Sequence, residues 1–98
     1  MVLDNETRGM LERVIDNAVR EAEIYMKIFF DPKKKSELQI KEPNDFVLGA
    51  TLGNAIQMGK LAFMTVNGRA ANQEELIEIG DIIHRNIPRI RESMFKAG

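Results

Sequence analysis

The sequence predicts an all-α fold: one domain, a bundle of three long helices spanning about 4–30, 45–66 and 73–96, assembled as a helical homodimer. Three observations lead there. Two stretches place apolar residues at alternating steps of three and four, the spacing of one helical face. Short, clearly marked links separate the helical stretches, as in antiparallel bundles. The middle stretch, DFVLGATLGNAIQMGKLAFMTV from Asp45 to Val66, carries no charge after Asp45 except Lys60. A helix this apolar must be covered on most of its circumference, so it takes the central place.

The chain has 98 residues, the length of one domain with a modest core. Its formal charge of −1 supplies no overall field to draw in nucleic acid or an anionic membrane, so a charged partner must be met by a local patch. The absence of cysteine excludes disulfides, thiolate metal sites and cysteine nucleophiles. The opening MVLDNETRGM has acids where a secretory signal has bases, and the expected location is the cytoplasm. The central stretch is just long enough to span a bilayer. Lys60, Asn54, Gln57 and two threonines argue against insertion, and no membrane partner is expected.

The first helix opens at Asp4, whose carboxylate suits the amides of the first turn, with Glu6 on the positive helix end. Its apolar face runs Leu11, Val14, Ile15, Ala18, Ala22, Tyr25, Met26 and Phe29, and Glu12, Arg13, Asp16, Arg20, Glu23 and Lys27 fill the other. Asp31-Pro32 ends it, because proline disfavours helix at the residue before it. From 32 to 43 the chain reads as non-helical. Leu38 and Ile40 alternate there with polar neighbours, as in a short extended segment laid on the bundle or a strand pairing with its copy.

Asn44 or Asp45 is expected to cap the central helix. On a helical wheel this helix has two apolar stripes. The broader one gathers Leu48, Leu52, Ala55, Ile56, Gly59, Ala62, Phe63 and Val66. The narrower gathers Phe46, Gly49, Gly53, Leu61 and Met64, and Asn54, Gln57, Thr51 and Thr65 occupy the arc between. Glycine costs about 1 kcal/mol in a helix interior relative to alanine, so the three glycines point to close approach of another chain segment. The broad stripe is expected to pack within the bundle and the narrow one against a second copy.

Asn67-Gly68 closes the central helix, and Asn72 with Glu75 forms a capping-box pattern for the next. The third helix places Leu76, Ile79, Gly80, Ile83, Ile87, Ile90 and Met94 on one face, with acids early and bases late, as the helix dipole favours. Pro88 lacks the amide that the His84 carbonyl needs, so a kink or a break into two helices is expected around 84–87.

No stretch matches a catalytic motif and none calls for a cofactor. The preferred reading is therefore a non-enzymatic, self-associating interaction module. A second reading is polyanion or nucleic-acid binding through Lys33, Lys34 and Lys35, with Arg85, Arg89 and Arg91 as a further basic area. Dilution by Asp31, Glu37 and Glu42 and the lack of interleaved aromatics weigh against it. A third is a metal-dependent enzyme built on Glu78, Asp81 and His84. Asp81 and His84 supply half of the carboxylate-histidine pattern of paired-metal bundles. The first helix supplies no Glu-x-x-Glu to complete a magnesium site of the kind found in all-helical nucleotide pyrophosphohydrolases.

Overall fold

A computed structural model describes residues 3–97, and within them the chain is all-helical. The helices are α1 (Asn5–Phe29), α2 (Pro32–Leu38), α3 (Pro43–Asn67), α4 (Gln73–Arg85) and α5 (Ile87–Ala97). The count is thus five where three were expected, and both differences have a local cause.

The segment expected to be extended begins as a helix instead. Asp31 has extended backbone angles and its carboxylate accepts from the Lys33 amide at 3.0 Å, while Pro32 sits in the first turn, where no amide is missed. The dipeptide that terminates α1 is therefore also the start signal of α2. Gln39 closes α2 in the left-handed region at φ 55°, its amide donating to the Lys35 and Ser36 carbonyls. Pro43 then opens α3 directly, so neither Asn44 nor Asp45 caps it, and Glu42 precedes it without a side-chain cap.

The break before Pro88 falls at Asn86, inside the expected window. Asn86 turns its side-chain amide back to the Ile82 carbonyl at 2.8 Å, and Pro88 lies in the first turn of α5. Elsewhere the capping signals act as read. Asp4 accepts from the Thr7 amide at 2.7 Å, Gly68 closes α3 at φ 69°, and Asn72 and Glu75 make the reciprocal capping box.

α1 and α3 lie antiparallel. Asn67 donates to the Thr7 hydroxyl at one end, Asn54 donates to Glu21 in the middle, and Phe29 meets Phe46 edge-on at 5.0 Å at the other end. α4 and α5 return alongside α1. Arg8 reaches Glu78, Arg89 pairs with Asp16 at 3.0 Å, and Ser93 donates to the Val19 carbonyl at 2.6 Å. The result is a rod of 43 × 23 × 17 Å.

The core collects Leu11, Ile15, Ala18, Ala22 and Met26 from α1, Val47, Ala55, Ala62 and Phe63 from α3, and Ile79, Ile83, Ile90 and Met94 from the last two helices. At Gly59 three helices converge. A Cβ built there would lie 2.8 Å from Ile79 Cγ2 and 3.3 Å from Leu11 Cδ2, so only glycine lets α1 and α4 close over α3.

The link between α3 and α4 is locked by charge. Arg69 forks onto both oxygens of Glu75 at 2.8 Å, and the Asn72 amide donates to the same carboxylate at 2.9 Å. The hydrogen bonds from Arg69, then that from Asn72, hold the Glu75 carboxyl down at a pKa of about 2. The Arg69 guanidinium also lies 5.0 Å from the centre of the Phe63 ring, which ties the link to the core.

Candidate interaction surface

The surface expected on α3 is built from the side of the helix that its own chain leaves open. The inner side buries Val47, Thr51, Ala55, Gly59, Ala62 and Phe63. The broad stripe read from the sequence thus packs inward, with Leu48, Leu52 and Ile56 at its half-buried margin. Val47 and Thr51 join it unforeseen: Thr51, assigned to the polar arc, is fully buried. The burial arc is rotated toward α1 relative to the expected one, because α1 covers the flank that holds Thr51 and Asn54.

All five residues of the narrow stripe lie outside. Phe46 is 42 % exposed, Leu61 54 % and Met64 47 %, and a Cβ added to Gly49 or Gly53 would meet nothing within 4 Å. The glycines of this stripe therefore approach nothing within the chain, unlike Gly59. Beside Leu61, on the α1 flank, a groove of about 250 Å³ continues the apolar surface between Met10, Val14 and Met58, with Arg13 and Asn17 along its rim.

At the other end of α3, Phe46 meets Phe29 edge-on, and Phe29 in turn meets Tyr25 at 6.4 Å. Tyr25 is half-buried and its pKa is raised, first by that burial and then by the neighbouring Glu21 charge.

The basic residues do not gather into one patch. Lys33 and Lys34 are exposed on α2, while Lys35 sits with its amine 5.6 Å over the Phe30 ring. Arg85 lines a cleft with Arg8 and Glu12, toward the other end of α1 from α2. Arg89 is engaged by Asp16 and Lys27 by Glu23, so neither adds free charge to the lysine cluster.

The three residues considered for a metal are not brought together either. Glu78 accepts from the Leu3 amide at 3.0 Å and pairs with Arg8, fastening the start of the chain to α4. Asp81 and His84 are exposed. Among the described residues no group of three or more acids and histidines is placed to hold a metal ion. No helix there is long and apolar enough to cross a membrane.

One surface had no signal in the sequence. Phe95, in the last turns of α5, is 87 % exposed, and it walls a cleft of about 450 Å³ that Asn44, Pro88, Arg91 and Met94 also line. Only its position off the α5 apolar stripe could have marked it.

Fold and surface together define a small five-helix bundle with one helix left half uncovered. Comparison with protein-family models, curated proteins and solved structures finds no match for this chain.

Proposed function

We propose that this chain is a non-enzymatic, self-associating helical protein of the cytoplasm whose interface is the outward face of α3, at Phe46, Gly49, Gly53, Leu61 and Met64. The observation that carries the reading is the exposure of three large apolar side chains, Phe46, Leu61 and Met64, on one face of one helix, interrupted by two glycines with open space above them. Large apolar side chains gathered on one exposed helix face, here interrupted by Gln57 and Lys60, are costly to leave in water and mark an interface. Glycines there lower the local surface and let a second helix come close. Sedimentation at micromolar concentration is the direct test. A dimer or higher assembly is expected, and a monomer would sink the proposal. Gly53→Leu is expected to abolish association with the fold intact, whereas Met58→Leu leaves both.

A second reading keeps one specific observation: Lys33 and Lys34 project from α2 without an ion-pair partner among the described residues. In that reading α2 contacts a polyanion. Binding to DNA, RNA or polyphosphate would then weaken steeply with salt and disappear when Lys33, Lys34 and Lys35 become glutamine. Binding that survives either change removes it.

A further inference from the structure

We infer that the cleft between α5, the end of α1 and the start of α3 binds a small anionic amphiphile, a carboxylate on an aliphatic body. Arg91 takes the carboxylate and Phe95 closes over the aliphatic part. The sequence builds this site from three short strips. On α5, Pro88, Arg91 and Phe95 follow at steps of three and four and share one face, with buried Met94 alongside. At the end of α1, Met26 and the cap residue Phe30 lie one turn apart. Asn44, in the first turn of α3, lines the space that separates them.

Two adjoining hollows meet there, sharing Asn44, Met94 and Phe95. The one of about 450 Å³ runs to Pro88 and Arg91, and the other, of about 430 Å³, runs to Met26 and Phe30. Both are of the size that small-molecule sites have, about 300–1,000 Å³. Met26 and Met94, each buried, form a floor of flexible thioethers that adapts to an irregular apolar guest. Phe95 stands at the mouth, and at 87 % exposed it is the most exposed large apolar side chain among the described residues. An aliphatic chain lying beneath it removes the ring and the walls from water together. The site is separate from the outward face of α3. Asn44 and Phe46 are two residues apart, about 200° around the helix, and Leu61 and Met64 lie toward its other end.

Charge decides what kind of molecule fits. Arg91 is exposed and has no ion-pair partner among the described residues, and the Asn44 side chain makes no hydrogen bond among them. Glu92, the one acid lining either hollow, is held by Lys96 at 3.2 Å. At the far wall Lys35 holds its amine 5.6 Å from the centre of the Phe30 ring. The trough is therefore apolar along its length, with a free guanidinium at one end and no free acid. A cation would be repelled by Arg91, and a polar body would meet methionine and phenyl. A carboxylate accepts two parallel bonds from a guanidinium fork, and the neighbouring carboxamide has donors for a third. An anion with an apolar body satisfies both ends of the cleft.

Methionines at both ends of the molecule, and the absence of tryptophan, supply clean reporters. The probe is decanoate, titrated below its micelle concentration into the unaltered chain with isotope-labelled methionine methyls. In NMR spectra the Met26 and Met94 signals are expected to shift together and saturate, while Met10, Met58 and Met64 stay in place. Shifts led by Met10 and Met58 would move the ligand to the groove beside Leu61. Shifts spread evenly over all five would mark detergent-like contact. Either result, or no saturable shift at all, overturns the inference. Phe95→Trp gives a second readout: its emission is expected to move to shorter wavelength with the same midpoint as the methyl shifts. A blue shift that follows protein concentration without decanoate would assign the cleft to a second copy instead, and so overturn it. Two comparisons test the head group. Decanol on the unaltered chain, and decanoate on Arg91→Gln, are each expected to bind about tenfold more weakly than decanoate on the unaltered chain. Equal binding in either comparison would take the carboxylate away from Arg91 and remove the basis of the site.

Discussion

Gly59 and Gly53 belong to the same helix, yet they are glycine for opposite reasons. At Gly59 the space is already taken, by Ile79 and Leu11. At Gly53 it is empty. The first glycine is required by the fold and the second is not, although both carry the same cost of about 1 kcal/mol in helix propensity. The inner face of α3 is buried by its own chain, and its glycine answers a neighbour. The outer face has similar ingredients, but its glycines, Gly49 and Gly53, have no neighbour above them, and only Phe46 touches another helix, at Phe29. That contrast separates substitutions that unfold the chain from substitutions that separate copies of it.

The largest effect is expected from Phe63, a fully enclosed ring of the inner face. Phe63→Ala should cost about 3–5 kcal/mol in urea unfolding. Phe46→Ala, its outer counterpart, should cost a fraction of that and show itself in sedimentation instead. Equal losses would erase the distinction between the faces.

Next come the glycines. Gly59→Ala gains helix propensity but forces a methyl into the Ile79 contact. Overpacking of about 1–3 kcal/mol outweighs that gain, and thermal unfolding should show net destabilisation. Gly53→Ala should do the reverse, raising the stability of the monomer by about 1 kcal/mol while weakening association. A destabilised Gly53→Ala monomer would show that something does rest on that face within the chain.

The smallest expected effect concerns the wall that α4 presents to the inner face. Glu75 titrates at about 2 in the folded protein, below its ordinary 4.5, so its stabilisation is fully present above about pH 4.5 and is lost as the pH falls toward about 2. Glu75→Gln should flatten the dependence of melting temperature on pH across that window. An unchanged slope would mean that the Arg69 fork contributes nothing to holding α4 in place.

Much of this contrast was legible in the sequence. The buried face of α1 follows the expected spacing at Leu11, Ile15, Ala18, Ala22 and Met26, with Thr7 added and Val14, Tyr25 and Phe29 half-buried at its margin, and the caps at Asp4, Gly68 and Asn72 are short-range chemistry that a sequence displays directly. Two things were not. Asp31-Pro32 is ambiguous in principle, since the constraint that stops one helix is the one that suits the start of the next. Thr51 failed for a different reason. A wheel sorts residues by polarity, whereas burial is decided by where neighbouring helices sit, and a threonine on the covered side is covered along with the rest. The five outward residues of the narrow stripe were separated correctly because α1 and α4 both pack on the other side of α3. The pairing of Arg69 with Glu75, and the exposure of Phe95, depend on how loop and terminus fold back. No periodicity encodes either.

The bond from Ser93 to Val19 closes a sequence separation of 74 residues, and it has a bearing on how the chain is made. A ribosome adding about 5–20 residues per second delivers α5 several seconds after α1 has emerged. During that interval α1 packs on α3 and, at its start, on α4, while the stripe that α5 will cover stays open. Nascent chains halted once Asn67 has left the tunnel should therefore show α1 and α3 paired yet readily cut by protease. Resistance should rise only when Met94 has left the tunnel, and full resistance before that point would show that the first three helices stand without the last two.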